Sequence, residues 1–127
     1  MEIIQSSPHN DEKENRAIVL DSFWIKDLSS IYLSFGTLLS FPSYFAPNLD
    51  SFDECISDLS WLNVKSIHIH FRSTSYFLIN ESTTTLKNVL TILSSAEQEV
   101  LEEGGTALKF TFEYSQEIAL AFTTVYQ

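Results

Sequence analysis

Three short stretches of the chain have the hydrophobic pattern of β-strands. Residues 17–20 form an uninterrupted apolar run that ends at Asp21, which is typical of a buried strand. Residues 66–71 and 107–114 alternate between apolar and polar positions, as half-buried strands do. We therefore predict three strands, separated by segments long enough to hold helices.

Two helices are predicted between the first two strands. Asp27 can cap the first, which runs to about Ser40 and stops before Pro42. Asn48 can cap the second, and the apolar residues of this second helix share one face: Leu49, Phe52, Ile56 and Leu59.

A third, longer helix is predicted over residues 84–103, because its apolar positions recur at helical spacing and Gly104 and Gly105 are typical of a helix end. The resulting order is strand, helix, helix, strand, helix, strand. Strands joined by helical crossovers are parallel, so the predicted fold class is α/β, with a small three-stranded parallel sheet flanked by helices.

The two termini lie outside this framework. Residues 1–15 are mostly polar and charged and are predicted to form a flexible tail before a domain over residues 16–114. Residues 115–127 are apolar and rich in β-branched and aromatic residues; they could form an extra C-terminal edge strand or a short helix packed on the domain, and we favour the strand. No apolar run approaches the roughly 20 residues that span a bilayer, so no membrane association is expected.

Composition narrows the class of protein. The chain has 127 residues, 44% of them hydrophobic, with 10 Phe, 5 Tyr and 2 Trp, which is enough for one globular domain. Its single cysteine, Cys55, cannot form an internal disulfide, which favours a reducing, cytoplasmic location. The formal net charge of −10 disfavours nucleic acid as a partner. Two interpretations of this charge remain open: it keeps the protein soluble, or it attracts a basic protein partner.

The acidic residues concentrate on the second predicted helix. Its outer face carries Asp50, Asp53, Glu54 and Asp58, opposite the apolar face. Like charges four residues apart cost a few tenths of a kcal/mol per pair, so stability does not explain this face. An ordinary solvated face remains an alternative.

Two aromatic residues precede that helix. Tyr44 and Phe45 lie in the loop before it, beside the acids, and aromatic residues next to charged ones are typical of protein interfaces. The alternative for Phe45 is a place in the core beneath the loop.

The same segment carries a resemblance to a known family. The sequence Phe41-Pro42-Ser43-Tyr44-Phe45-Ala46-Pro47-Asn48-Leu49-Asp50, continued by Phe52, Glu54, Cys55 and Ile56, resembles the central motif of the barstar family. The resemblance covers roughly residues 16–114. It implies a protein without catalytic activity or cofactor, whose loop and second helix enter the active site of a ribonuclease and whose carboxylates take the places of RNA phosphates.

The resemblance also implies the contact residues. They are Tyr44, Phe45, Asn48, Asp50 and Glu54, with Glu99 and Glu103 on the long helix, and the acidic face adds Asp53 and Asp58. The expected partner is a basic ribonuclease toxin, bound by a monomer in a 1:1 complex. The alternative is an adaptor that binds another basic protein without blocking catalysis.

Several positions depart from the family pattern. Ala46 stands where the family has glycine, Phe45 where it has tyrosine, and Glu54 where it has its key aspartate. Asp53 and Leu59 replace tryptophans. These changes imply a partner other than barnase, with a more basic and less apolar site, as expected of an immunity protein matched to its own toxin.

Other candidate sites are weaker. His68 and His70 point to one face of a strand, but no third ligand lies near them in sequence, so a metal site is disfavoured. Cys55 is expected to be an inert, buried or half-buried thiol. Asp50 and Glu54 could in principle form the carboxylate pair of a glycosidase, but an exposed convex helix offers no cleft for a sugar.

Overall fold

The core of the fold is a parallel sheet of four strands. The computed structural model describes residues 1–4, 15–102 and 106–125, and for residues 101, 102 and 124 it describes the backbone alone. The sheet order is β1-β4-β3-β2, and all three pairs of neighbours are parallel. The strands are β1 (Glu2–Ile3), β2 (Asn15–Asp21), β3 (Ser66–Arg72) and β4 (Ala107–Phe112).

Four α-helices accompany the sheet, which confirms the predicted α/β class. They are α1 (Leu28–Leu38), α2 (Leu49–Ile56), α3 (Thr83–Glu102) and α4 (Gln116–Val125). One-turn 3-10 helices follow two of the strands, at Ser22–Trp24 and Thr74–Tyr76. Within the described ranges no helix has the length and apolar character needed to cross a membrane.

The three predicted strands are confirmed, but the first is less buried than its apolar run indicates. Among the described strands it pairs only with β3 and forms the edge of the sheet, where 43% of Val19 is exposed. The second predicted strand, β3, lies between β2 and β4; its apolar face is buried and its polar face is partly buried. His70, on its polar face, is only 1% exposed.

The predicted flexible tail is wrong for residues 1–4. They add a fourth strand: Ile3 pairs with Phe112, and the Ile4 amide donates to the Phe112 carbonyl at 2.8 Å. Ile3 packs against the core, and Glu97 of α3 lies at the same edge, accepting from the Phe110 amide at 2.8 Å. A strand of two residues is too short to show an alternating pattern in the sequence. The rest of the predicted tail up to residue 14 lies outside the described residues.

The predicted C-terminal edge strand is also wrong, because this segment forms α4. Its apolar residues Ile118, Ala121, Phe122 and Val125 have the i, i+3, i+4, i+7 spacing of a helix. Ile118 and Ala121 are buried, and the Phe122 ring meets Phe112 edge to face at 5.3 Å. Helical periodicity prevailed here over strand propensity, and β1 occupies the sheet edge beside β4.

One face of the sheet carries the hydrophobic core. Alternate positions of β3 and β4 point to it, and their side chains are almost completely buried: Ile67, Ile69, Phe71, Leu108, Phe110 and Phe112. Phe35 of α1 stacks on Phe71 and Phe110, with centroids 6.1 and 6.4 Å away. The same Phe35 meets Phe52 of α2 edge to face at 5.3 Å. Both helices are therefore anchored to the sheet through phenylalanine rings.

The two predicted caps are confirmed. Asp27 Oδ1 accepts from the Ser30 amide at 2.9 Å, and Asn48 Oδ1 accepts from the Ser51 amide at 2.8 Å. Helix α1 ends at Leu38, two residues before the predicted end. Ser40 then takes a left-handed conformation with φ of 51°, and the Phe41 amide donates back to the Gly36 carbonyl at 3.0 Å. This turn sends the chain into the loop before α2.

Removal of residues 1–4 is expected to destabilise the domain. The deletion exposes the edge of β4 and the apolar surface that Ile3 covers, so the free energy of unfolding should fall by about 1–3 kcal/mol. Urea unfolding followed by tryptophan fluorescence measures the change. The control is Glu2→Gln, which breaks only the exposed ion pair with Lys109 and should change stability by less than about 0.5 kcal/mol. An unchanged unfolding midpoint for the deletion would show that β1 contributes nothing.

Candidate functional site

Five of the predicted site residues converge on one surface depression. Helix α2 and the turn after it contribute four acids, and α3 contributes the fifth. The depression has a volume of about 450 Å³ and is lined by Asp50, Asp53, Glu54, Ser57, Asp58 and Glu99. We call it the acidic concavity. Ser57 has no counterpart among the predicted residues.

Burial of the opposite face of α2 directs these acids outward. Phe52 and Ile56 are fully buried, and Leu49 packs partly against the core. Leu59 lies beyond the helix end, where a left-handed φ of 55° turns its side chain back into the core. The predicted apolar face is therefore confirmed, although its last member is not helical. Asp50, Glu54 and Asp58 remain exposed on the other side.

The carboxylates of the concavity have few partners within the protein. Asp53 Oδ1 accepts from the Ser57 hydroxyl at 3.3 Å, and Asp58 Oδ1 accepts from the Ser60 amide at 3.2 Å. In the part of the chain that the structure describes, none of the five acids forms a salt bridge with a lysine, arginine or histidine. Like charges gathered without a counter-ion repel one another, so the site is suited to receive cationic groups from outside.

Tyr44, a predicted contact residue, lies near Asp58 and Glu54 at the rim of the concavity. Its side chain is 56% exposed. Desolvation, followed by the neighbouring Cys55, Asp58 and Glu54, raises the pKa of the Tyr44 hydroxyl. The hydroxyl is therefore protonated at neutral pH and available as a donor beside two carboxylates.

Cys55 has the inert character predicted for it. The side chain is fully buried, and burial together with the charge of Glu54 raises the pKa of its thiol. A buried thiol held protonated is a poor nucleophile.

Phe45 does not join the acids. Its ring meets Phe41 at 5.0 Å and Tyr32 of α1 at 6.0 Å, so it packs beneath the loop on the side of α1. This is the alternative that the sequence left open for Phe45. The side chain is only half-buried, and it lines a separate apolar depression together with Tyr32 and Phe41.

Asn48 stabilises the loop and the start of α2 and does not line the concavity. Its side chain caps α2 and is exposed. The hydroxyl of Ser51, one turn into the helix, accepts from the Ala46 amide at 2.9 Å. These two hydrogen bonds tie the loop to the start of α2. Ser51 was not among the residues predicted from the sequence. Serine side chains often form hydrogen bonds with nearby backbone groups at helix starts and in turns.

One of the two site residues predicted on the long helix lies at the concavity. Glu99 is exposed and lines the concavity opposite α2. Glu103, with Gly104 and Gly105, lies outside the described residues.

The two histidines are engaged with a threonine. His68 Nε2 lies 2.7 Å and His70 Nδ1 lies 2.8 Å from the hydroxyl oxygen of Thr111 on β4. A hydroxyl can donate to one nitrogen and accept from the other, so both neutral rings are satisfied. Over the described ranges there is no group of three or more side chains able to hold a metal ion.

Comparison with protein families gives the context for this site. Residues 15–114 match the family model described as Barstar (barnase inhibitor). The chain belongs to the barstar family. The barstar family is one of inhibitors and not of catalysts, and its partners are ribonucleases. A search of curated proteins finds no significant match.

The barstar match agrees closely with the predicted range of residues 16–114. It begins with β2 and ends just after β4, at Tyr114, so it includes α2 and Glu99. The strand β1 and the helix α4 lie outside the barstar match. The residues of the acidic concavity therefore all fall in the barstar-like part of the chain.

Stability of this barstar-family domain is expected to fall as the pH drops from about 7 to about 5. Burial lowers the pKa of His70 and, together with the charge of Lys109, that of His68. The unfolded chain then binds protons at a pH where the folded chain does not, so acid favours unfolding. Each unit by which a folded pKa lies below its unfolded value removes about 1.4 kcal/mol. Urea unfolding at pH 7.5 and 5.5 measures the effect.

The control for this pH dependence is the double variant His68→Gln, His70→Asn. Glutamine and asparagine place amide groups near the two imidazole nitrogens that meet Thr111, but they do not titrate. The difference between the two pH values should shrink in the variant. An equal loss of stability in both proteins would assign the effect to other groups.

Proposed function

We propose that this chain binds a ribonuclease and occludes its active site, acting as an immunity protein against a ribonuclease toxin. The acidic concavity is the observation that carries the proposal. Five carboxylates from two helices converge there, and no described cation of the chain neutralises them. Ribonucleases hold RNA phosphates with cationic groups, so their active sites are complementary to such a surface.

Mimicry of RNA phosphates explains the proposed inhibition. Asp50 and Glu54 lie one turn apart on α2, and Glu99 faces them from α3. Carboxylates spaced in this way can accept charge-assisted hydrogen bonds from several lysine or arginine side chains at once. The Tyr44 hydroxyl adds a neutral donor at the rim. A nuclease bound here would have its phosphate-binding groups covered, and RNA could not enter.

The composition of the site supports a strongly basic partner. Asp53 contributes charge where the family has an aromatic residue, and Glu54 reaches further than the family's aspartate. We propose a 1:1 complex between a monomer of this chain and a toxin ribonuclease, formed in the cytoplasm, where a cell's own RNA needs protection. The single cysteine suits this compartment.

Replacing Asp50 by asparagine and Glu54 by glutamine together should abolish inhibition without unfolding the protein. The two side chains are exposed, and loss of two charge pairs at a basic active site should weaken inhibition at least about 100-fold. Stability should change by less than about 0.5 kcal/mol, because relief of the repulsion between the two acids offsets the loss of an acid from the first turn of α2. Cleavage of a fluorogenic RNA by a ribonuclease toxin of the same genome, or by barnase, measures inhibition.

The matched control is Glu2→Gln with Glu117→Gln. It removes the same two negative charges from a formal net charge of −10, but from exposed positions on β1 and α4. This control should inhibit as the unchanged protein does. Full inhibition by the Asp50, Glu54 variant, with nuclease still bound, would favour an adaptor that uses a different surface.

Association with the nuclease should slow steeply as salt rises from about 50 to 500 mM. Long-range attraction between an acidic inhibitor and a basic cleft is screened over a Debye length of about 10 Å at 0.1 M salt. The barnase–barstar pair is itself the reference case for such charge-steered association, so this expectation is inherited from that pair. Stopped-flow fluorescence measures the rate. An association rate indifferent to salt would contradict the role of the acidic concavity.

A further inference from the structure

A second depression lies on the α1 side of the loop before α2. It has a volume of about 450 Å³ and lies between α1 and the loop, and its apolar lining is formed by Tyr32, Leu33, Gly36, Phe41, Phe45 and Pro47. We call it the α1 groove. Its lining contains no charged side chain, in contrast to the acidic concavity.

The shape of the α1 groove depends on a glycine in the middle of α1. A Cβ atom at Gly36 would have as its neighbour only Phe41 Cδ2, at 3.9 Å, which is an ordinary van der Waals distance. The helix would therefore tolerate a larger residue here, and glycine in a helix interior costs up to about 1 kcal/mol relative to alanine. The absence of a side chain at this position keeps the groove open and is not required by the backbone.

The wall of the groove includes one of the most exposed apolar side chains of the described residues. Leu33 is 73% exposed although it lies on α1 next to Tyr32, which is buried. Half-buried Phe45 and exposed Pro47 extend this apolar surface onto the loop. Exposed apolar patches of this kind mark protein–protein contact sites.

The groove is continuous with the surface proposed to bind the nuclease. Within one loop, Phe45 and Pro47 face the groove, while Tyr44 lies at the rim of the acidic concavity. Helix α1 packs on α2 through Phe35 and Phe52, so a single helix separates the two depressions. Helices pack with axes about 8–10 Å apart, and a standard interface takes up about 20–30 residues of each partner. One partner can therefore cover both.

We propose that the ribonuclease seated on the acidic concavity also inserts an uncharged apolar side chain, aliphatic or aromatic, into the α1 groove. This inference rests on the proposed function and adds a second, apolar contact to it. A second copy of this chain suits the groove less well, because each chain carries a formal net charge of −10 and the acids beside the groove would repel one another. The apolar contact acts on dissociation alone, whereas the acids also speed association through long-range attraction.

Two substitutions at Gly36 separate filling of the groove from effects on the helix. Gly36→Met fills the groove, and Gly36→Ala adds only the tolerated Cβ atom; both should keep or raise the melting temperature. We expect Gly36→Met to bind the nuclease about 10- to 100-fold more weakly, through faster dissociation. Gly36→Ala should bind within about 3-fold of the unchanged protein. Leu33→Ser, which alters the wall of the groove without touching the loop, should also weaken binding.

The outcomes distinguish this inference from the proposed function. The probe is a ribonuclease toxin of the same genome, or barnase, with rates measured by surface plasmon resonance at two salt concentrations. The weakening caused by Gly36→Met should be the same at both, whereas Glu54→Gln should reduce the salt dependence of association. If Gly36→Met or Leu33→Ser binds as the unchanged protein does while Glu54→Gln is weakened, the inference fails and the proposed function stands. If the unchanged protein binds and inhibits neither ribonuclease, both fail. Dimers of the free chain that Gly36→Met abolishes would assign the groove to self-association and overturn the inference.

Discussion

Burial of Phe52 and Ile56 beneath α2 is the interaction on which the candidate site depends. These two side chains are fully buried, and Phe52 meets Phe35 of α1, which itself stacks on the sheet. With the inner face of an eight-residue helix fixed in this way, its period leaves Asp50 and Glu54 only the outer face. The buried core, and not the charges themselves, therefore determines the direction in which the acids point.

The loop before α2 is held by polar contacts of a different kind. The Asn48 cap and the hydrogen bond from the Ala46 amide to Ser51 fix the loop at both its end and its middle. The Phe45 ring also packs on Phe41, while Tyr44 stays 56% exposed beside the acids. The loop thus presents different chemistry to its two sides with little freedom left to lose on binding, which favours affinity.

The sequence was informative where a period or a motif extended over many residues. The alternation of residues 66–71 and the caps at Asp27 and Asn48 predicted parallel strands and helix starts that the structure confirms. It was uninformative where an element is short: β1 has two residues, and nothing in so brief a segment shows a period. For α4, β-branched and aromatic residues indicated a strand, while the spacing of Ile118 and Phe122 already favoured the helix.

The other features that the sequence could not predict depend on contacts between separate helices, strands and loops. The acids of α2 could be placed on one face from their spacing, but their meeting with Glu99 depends on how α3 packs beside α2. Phe45 is a single loop residue without periodicity, so its orientation toward Tyr32 depends on the position of α1. The α1 groove results from the same packing and from Gly36, which has no side chain to fill it.

Electrostatic attraction alone is a poor basis for choosing one partner among many basic proteins. A cluster of exposed carboxylates attracts any cationic cleft, and specificity is a difference between affinities that charge of one sign cannot supply. Discrimination requires a feature that some basic clefts fit and others do not. An apolar depression next to the acids meets that requirement, because a cleft that buries a charged or polar side chain there incurs an uncompensated desolvation cost. On this view the two sides of the loop have separate tasks: the α2 side draws in basic nucleases, and the α1 side, shaped by Gly36 and Phe45, selects among them.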